Sequence, residues 1–247
     1  MQKLRSILFL FLFYFLTLVQ MIFWTPVYFF LPRHHAWKIP KLWGKINLWL
    51  QYKIVGTRFD FRGMEHIPDE GGFIVAAKHQ SSWETYTLLP FLKDPTYVLK
   101  RELMFIPFFG WYAMKMNIVP VHRGKKGKAL HSMTKNARPQ LEGGRSLVIY
   151  PEGTRKLPEA KPDYKYGVSH LYSETNVPVL PVALNSGMHW ARNSFHLKRG
   201  TTVLEFLEPI KPGMEKAKFA ERLETVIEEK TAELIQEAQA ENEYQSL

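Results

Sequence analysis

Apolar and polar positions divide the chain into a strongly apolar N-terminal segment and a longer body where short apolar runs alternate with amphipathic stretches. The apolar segment, residues 7–31, has 25 residues and no charge, so it is long enough to cross a bilayer as one helix. Gln20 and Pro26 would equally allow two shorter helices that enter one leaflet. Because no small-x-small cleavage site follows, we expect a retained membrane anchor and not a signal peptide.

A second stretch, residues 37–52, interleaves large apolar residues with lysines. The pattern predicts an amphipathic helix at the level of the lipid headgroups, with lysines reaching water, or a basic helix packed on the rest of the protein. We therefore assign residues 1–54 to hydrophobic and basic membrane-anchoring helices and residues 55–247 to a functional domain.

The body of the chain predicts an α/β fold. Nearly continuous apolar strands that alternate with helical patterns indicate a mostly parallel sheet covered by helices. A C-terminal stretch with apolar residues at helical spacing predicts a further amphipathic helix with an acidic outer face. The predicted strands are Phe73–Ala77, 97–99, 118–121, 147–150, Val179–Leu184 and 202–206, and helices are predicted near residues 83–92, 109–116, 128–141 and 164–174.

Composition narrows the class of protein. The absence of cysteine excludes disulfides, thiolate catalysis and most structural zinc sites, and we find no metal-ligand cluster. The net charge of +10 is uneven, since the first 59 residues contain eight Lys and Arg residues and no acid. A basic excess beside an apolar segment favours an anionic lipid surface, and we find no nucleic-acid-binding module. Six basic residues follow the apolar run and two precede it, which predicts a domain on the cytoplasmic side of the inner membrane.

Candidate chemistry begins at the sequence FIVAAKHQSSWE, residues 73–84. A buried strand ends here, and His79 lies at the point where open α/β sheets place their functional groups. Glu84, five residues later, could hold one ring nitrogen of His79 and leave the other free to take a proton from a substrate. The alternative is structural, because Ser81 to Glu84 also spells a capping box in which Glu84 satisfies backbone amides at a helix start.

Basic residues follow the other predicted strands. Lys100 follows the second strand, Arg123 the third, and Arg155 lies in the turn PEGTR that follows the fourth. Because the carboxyl ends of parallel strands share one edge of a sheet, these cations should converge near His79. Arginines at such an edge suit a phosphate-bearing substrate.

Four ordered sequence blocks resemble the glycerolipid acyltransferase family, specifically its 1-acyl-glycerol-3-phosphate acyltransferases. They are HQSSWE (79–84), IVPVHR (118–123), EGTR (152–155) and VPVLPV (177–182), and the likeness spans roughly residues 55–210. The apolar N-terminus also resembles the hydrophobic helical motif of that family. One departure concerns the first block, where Glu84 stands in place of the family's aspartate.

The resemblance implies an acyltransferase domain over residues 55–247. It would move a fatty acyl group from an acyl thioester to the free hydroxyl of 1-acyl-glycerol-3-phosphate and form phosphatidic acid. His79 oriented by Glu84 would be the general base, without a covalent intermediate. Acyl-CoA or acyl carrier protein would be the co-substrate, a lysophospholipid the acceptor, and no cofactor is expected. The predicted phosphate site has Arg155, Arg123 and Lys100 to hold the phosphate, and Glu152, Gly153 and Thr154 to shape its pocket.

Three other functions stay open at this level. The acceptor could be another lyso-lipid, such as a lyso-ornithine lipid. A lipid hydrolase could use His79 with Ser81 or Ser82. A protein without enzymatic activity could dock on anionic membranes through its basic surface.

Overall fold

The computed structural model describes residues 1–122 and 126–246. Its strands are β1 Thr57–Arg62, β2 Phe73–Ala77, β3 Pro95–Lys100, β4 Val119–Val121, β5 Ser146–Ile149, β6 Val179–Leu184 and β7 Gly200–Phe206. Within the described residues they form one seven-stranded sheet in the order β1-β7-β6-β2-β5-β3-β4.

Five neighbouring strands of this sheet run in one direction. Strands β6, β2, β5, β3 and β4 pair in parallel, whereas β7 is antiparallel to β6 and parallel to β1. The predicted mostly parallel α/β fold is therefore confirmed. The carboxyl ends of the five parallel strands lie at a single edge, where open α/β sheets bind their ligands.

All six predicted strands are present, with ends that differ from the prediction by no more than two residues. The prediction missed β1. This strand alternates Arg58, Asp60 and Arg62 with Phe59 and Phe61 and lies at the edge of the sheet. Alternation is the pattern of a half-exposed strand, and it differs from the continuous apolar runs that predicted the other strands.

The helices cover both faces of the sheet. They are α1 Gln2–Tyr28, α2 Arg33–Ala36, α3 Lys38–Leu50, α4 Trp83–Thr87, α5 Phe109–Lys115, α6 Lys126–Glu142, α7 Gly167–Thr175, α8 Ser186–His189 and α9 Lys216–Ser246. The helix predicted near residues 83–92 is shorter than expected and continues as a 3-10 turn, Leu89–Phe91. Pro90 explains the early end, because proline removes a helical N–H donor and disfavours helical geometry in the preceding residue.

Strand β2 lies at the centre of the core, and its side chains alternate between the two faces. Phe73, Val75 and Ala77 pack in a cluster with α1, α3, α4 and α5. Ile74 and Ala76 pack in a second cluster with α6, α7 and α9. Both faces of the strand are buried, so its carboxyl end is held firmly at the edge of the sheet.

One face of α1 packs against the rest of the protein from its first turn to its last. The Ser6 hydroxyl accepts a hydrogen bond from the Leu197 amide at 3.0 Å. Phe13 belongs to the same buried cluster as the sheet. At the other end, the rings of Tyr28 and Tyr112 stack with centroids 3.8 Å apart. Residues 1–54 therefore pack closely against the rest of the domain. Their assignment to a membrane-anchoring role stays a prediction.

The opposite face of α1 is exposed and apolar. By length and composition this helix could cross a membrane. The large apolar residues on its exposed face are Leu4, Ile7, Leu8, Phe11, Tyr14, Phe15, Leu18, Val19, Ile22, Phe23 and Val27.

Helix α3 packs on the domain, which is one of its two predicted arrangements, and its place at the level of the lipid headgroups stays a prediction. One face packs on the domain at Gly44, where a Cβ atom would lie 2.9 Å from the Tyr86 carbonyl oxygen. The other face exposes Leu42, Ile46 and Trp49. An exposed apolar face beside that of α1 extends the surface available to lipid.

Candidate active site

His79 follows β2 by two residues and points its ring at a buried carboxylate. Its Nδ1 atom lies 2.8 Å from Oε1 of Glu84, whose side chain is completely buried, whereas the His79 side chain is 15% exposed. Within the described residues Nε2 has no hydrogen-bond partner. One nitrogen is thus held by the carboxylate, and the other can receive a proton from a bound molecule.

Glu84 also closes the start of α4. Its Oε1 accepts hydrogen bonds at 2.7 Å from the backbone N–H groups of Gln80 and Ser81, and its Oε2 accepts one at 2.8 Å from the Ser186 hydroxyl. The two interpretations of Glu84 are therefore compatible: the same carboxylate caps the helix and contacts His79. Four hydrogen bonds to one buried side chain leave it little freedom to rotate.

A tyrosine fixes the plane of the His79 ring. The rings of His79 and Tyr150 stack at 4.0 Å between centroids with 19° between their planes. The Tyr150 hydroxyl is buried, with no hydrogen-bond partner among the described residues. Burial raises its pKa well above the ordinary value, so this side chain stays neutral and acts as an apolar wall.

The EGTR loop after β5 lies directly beside His79. The Lys156 amide donates to the His79 carbonyl oxygen at 2.8 Å, and Arg155 Nη1 donates to the Ser82 hydroxyl oxygen at 2.8 Å. Gly153 has φ of 65°, a conformation that glycine adopts readily and most residues do not. The glycine therefore allows the tight turn that brings Arg155 next to the histidine.

Both serines near His79 are engaged in other contacts. The Ser81 hydroxyl accepts from the Trp83 amide at 3.2 Å, and the Ser82 hydroxyl accepts from Arg155. In the part of the chain that the structure describes, neither hydroxyl is hydrogen-bonded to His79. The arrangement lacks the nucleophile–base contact that a serine hydrolase uses.

Arg192 is a cation of the site that the sequence analysis missed. It lies on the loop after α8, and its Nη1 donates to the Arg155 carbonyl oxygen at 2.7 Å. Among the residues of known placement, neither arginine has a carboxylate within ion-pair distance. Arg192 follows the parallel strand β6, so the argument that selected Arg155 could also have selected it.

The other predicted phosphate-binding residues differ in their placement. Thr154 is half-buried in the EGTR loop. Lys100 lies at the predicted sheet edge but is exposed, with its ammonium 4.0 Å from Glu102. Arg123 lies outside the described residues.

Glu152 lies in the loop that it was predicted to shape, with its side chain directed at Lys78. Its carboxylate is buried 3.3 Å from the ammonium of Lys78, and burial raises its pKa. A buried carboxylate would repel a phosphate that approached it but can shape the loop, so the predicted role of Glu152 requires no contact with the substrate.

Comparisons with known proteins agree with this fold and site. The acyltransferase family model matches residues 58–185. A Pseudomonas aeruginosa 1-acyl-sn-glycerol-3-phosphate acyltransferase is 32% identical over 205 residues, covering 81% of this chain and 78% of that protein. The human 1-acyl-sn-glycerol-3-phosphate acyltransferase alpha is 27% identical over 54% of this chain and 47% of its own length. The crystal structure of the 1-acyl-sn-glycerophosphate acyltransferase PlsC from Thermotoga maritima aligns with a TM-score of 0.76 and 26% identity, over 95% of this chain and 99% of that one.

A mostly parallel sheet with a histidine–carboxylate pair and an EGTR loop at one edge, together with these matches, identifies the class as an acyl-transferring enzyme. The chain belongs to the acyltransferase family, as its four sequence blocks predicted.

Proposed function

We propose that the protein transfers a fatty acyl group from an acyl thioester to the free hydroxyl of 1-acyl-glycerol-3-phosphate and forms phosphatidic acid for phospholipid synthesis. The observation that carries the proposal is the pairing of His79 with the buried Glu84, beside Arg155 at the same edge of the sheet. The names of the bacterial relatives support the same acceptor.

In the proposed reaction His79 acts first as a base and then as an acid. Its Nε2 takes the proton of the acceptor hydroxyl as the oxygen attacks the thioester carbonyl carbon. When the tetrahedral intermediate collapses, the carbon–sulfur bond breaks and Nε2 returns the proton to the departing thiolate. Glu84 stabilises the imidazolium that exists between the two transfers. Proton transfer of this kind contributes about 10²–10⁴-fold, and alignment of the two substrates supplies much of the remainder.

The acceptor phosphate is proposed to bind between the guanidinium groups of Arg155 and Arg192. A phosphate monoester carries close to two negative charges near neutral pH, and two guanidinium groups can balance them through bidentate hydrogen bonds. Arg123 and Lys100 stay predicted contributors to the same site.

The protein is proposed to act at the cytoplasmic surface of the inner membrane. One face of α1 is occupied by the domain over the length of the helix, so its exposed apolar face would lie along the bilayer surface. Basic residues close to this helix would contact anionic headgroups.

Acyl transfer in liposomes tests the proposal. Wild type, His79→Ala and Arg155→Gln are given a radiolabelled acyl donor, either acyl-CoA or acylated carrier protein. The acceptor is 1-acyl-glycerol-3-phosphate or, in parallel, a lyso-ornithine lipid. The control is His131→Ala, which changes an exposed histidine on α6. We expect transfer by wild type and the control, loss in His79→Ala, and a raised acceptor KM in Arg155→Gln. Transfer to a lyso-ornithine lipid alone would shift the assignment to that acceptor, and failure with every donor and acceptor would contradict the proposal.

A further inference from the structure

The segment that follows β3 exposes an apolar surface of its own. Four of its large apolar side chains are between 44% and 72% exposed. They are Phe105, Ile106, Trp111 and Met114, and we call them the β3–α5 patch. Several exposed apolar side chains on one short segment mark a surface that contacts lipid or another protein.

The β3–α5 patch is carried by one compact unit. A 3-10 turn, Arg101–Phe105, packs so closely on helix α5 that a Cβ atom at Gly110 would lie 1.9 Å from the Met104 carbonyl oxygen. The Gly110 amide also donates to the Ile106 carbonyl oxygen at 2.8 Å. The turn and the helix therefore hold each other, and the exposed side chains project from a fixed backbone.

The patch adjoins the exposed face of α1. Helix α5 packs on the C-terminal end of α1, where the Tyr112 ring stacks on Tyr28 and the Tyr112 hydroxyl donates to the Met21 carbonyl oxygen at 3.0 Å. The Lys115 ammonium donates to the Phe29 carbonyl oxygen at 3.0 Å. Both helices cover the same face of the sheet, so the sides that they expose both point away from it. The apolar surface of α1 therefore continues onto α5.

Cations flank the patch. Lys100 and Arg101 are exposed at the end of β3, and the Arg101 guanidinium lies 6.0 Å from the centre of the Phe105 ring. Lys115 adds a third positive charge, against the single acid of the segment, Glu102. An apolar surface bordered by cations fits an anionic bilayer, because the apolar groups enter the acyl region while the cations stay with the lipid phosphates.

We propose that the β3–α5 patch inserts into the surface of an anionic phospholipid bilayer beside α1 and holds that surface at the mouth of the active site. Strand β3 is parallel to β5, and β5 to β2, so the segment starts at the sheet edge that carries His79. An acceptor in the bilayer would then reach His79 by a short path. The inference rests on the proposed function for the lipid acceptor, whereas insertion is measured without catalysis.

The absence of cysteine allows insertion to be measured at single positions. Met114→Cys is labelled with an environment-sensitive fluorophore and mixed with vesicles of phosphatidylcholine and phosphatidylglycerol. The matched control is Met214→Cys, because Met214 is also exposed but its amide contacts Tyr172 in the cluster on the opposite face of the sheet. A third variant, Phe15→Cys, reports on the exposed face of α1.

We expect the emission from position 114 to move to shorter wavelength with vesicles and to be quenched by spin labels on the lipid acyl chains. The emission from position 214 should change in neither way. A label at position 114 that keeps its aqueous emission would overturn the inference, whether or not the α1 label inserts. A shift that appears without vesicles as the protein concentration rises would assign the patch to a second copy of the chain and would overturn it as well.

The double variant Phe105→Gln/Met114→Gln tests the consequence for catalysis. Loss of two inserted side chains should weaken vesicle binding about tenfold or more. The acceptor KM should rise about tenfold for 1-acyl-glycerol-3-phosphate in vesicles and less than twofold for a short-chain, water-soluble analogue. The matched control is Met214→Gln/Tyr244→Gln, which replaces two exposed apolar residues outside the patch and should change neither KM.

Equal increases of the acceptor KM for both forms of the acceptor would place the effect inside the active site and overturn the inference. The wild-type reaction separates this result from a failure of the proposed function. An inactive wild type whose label at position 114 still inserts would contradict the proposed function alone, whereas an active wild type whose label stays in water would contradict this inference alone.

Discussion

Replacing Glu84 with glutamine removes a negative charge from the site and keeps its shape. In the wild type, Oε1 faces three nitrogen atoms, those of the His79 ring and of the Gln80 and Ser81 amides. A glutamine carbonyl oxygen can accept from the same three donors, and its amide nitrogen can donate to the Ser186 hydroxyl oxygen. The variant should therefore keep both the helix cap and the orientation of His79.

The expected effect is on the chemical step. The Glu84 carboxylate lies 2.8 Å from the imidazole and is fully buried, so in the proposed reaction it would stabilise the imidazolium with little screening by water. We expect kcat to fall by about 10²–10³-fold, which corresponds to about 3–4 kcal/mol in the activation free energy. The acceptor KM should change little, because the carboxylate would not touch the substrate.

Release of the free thiol from acyl-CoA gives a continuous assay for kcat and KM. A thermal melt should show a fall in Tm of a few degrees, because bonds to a charged acceptor are replaced by weaker bonds to a neutral one. If Glu84→Gln kept kcat within about threefold of wild type, the carboxylate would be a helix cap only and the reasoning would be refuted.

Three further variants test the surroundings of the site. Arg192→Gln should raise the acceptor KM about tenfold. The matched control is Arg199→Gln, on the exposed part of the same loop, which should change the acceptor KM less than twofold. Equal effects of the two variants would argue against Arg192 as a phosphate contact. Tyr150→Phe removes a buried hydroxyl that has no hydrogen-bond partner among the described residues, so Tm should stay unchanged or rise; a large fall in Tm would reveal a hydrogen bond. Tyr150→Leu loses the ring that stacks on His79 and should lower kcat about tenfold or more. Gly200 has a φ of 127°, and a Cβ atom there would lie 2.2 Å from the ring of the buried His189. Gly200→Ala should therefore lower the free energy of unfolding by about 2 kcal/mol or more. An unchanged midpoint in urea unfolding would contradict this.

The central strands could be predicted because their environment leaves a clear pattern. The boundaries of β2 and β6 match the prediction, since a strand buried on both faces appears as an unbroken apolar run with polar residues at its ends. The position of His79 followed from the end of such a strand, and its distance from Glu84 followed from five residues of local chain. The contact between His79 and Glu84 could therefore be predicted from their spacing along one short stretch of the chain.

The rest of the site depends on contacts between distant parts of the sequence. Lys78 and Glu228 are 150 residues apart, and Ser186 reaches Glu84 from 102 residues away. No local pattern identifies such pairs, because they depend on how the loops and α9 pack. The contact of Glu152 with Lys78 could not be predicted for the same reason: the motif fixes the turn but not the direction in which the glutamate side chain points.

The contact between Ser6 and Leu197 also has a consequence for how the protein is made. The two residues are separated by 191 positions in the chain, and synthesis at about 5–20 residues per second puts roughly 10–40 s between them. For much of that interval α3 is already available to contact α1, but the segment around Leu197 that also covers its inner face has not been made. We therefore expect the apolar helix to be open to lipid or to a chaperone before the domain that covers it is complete.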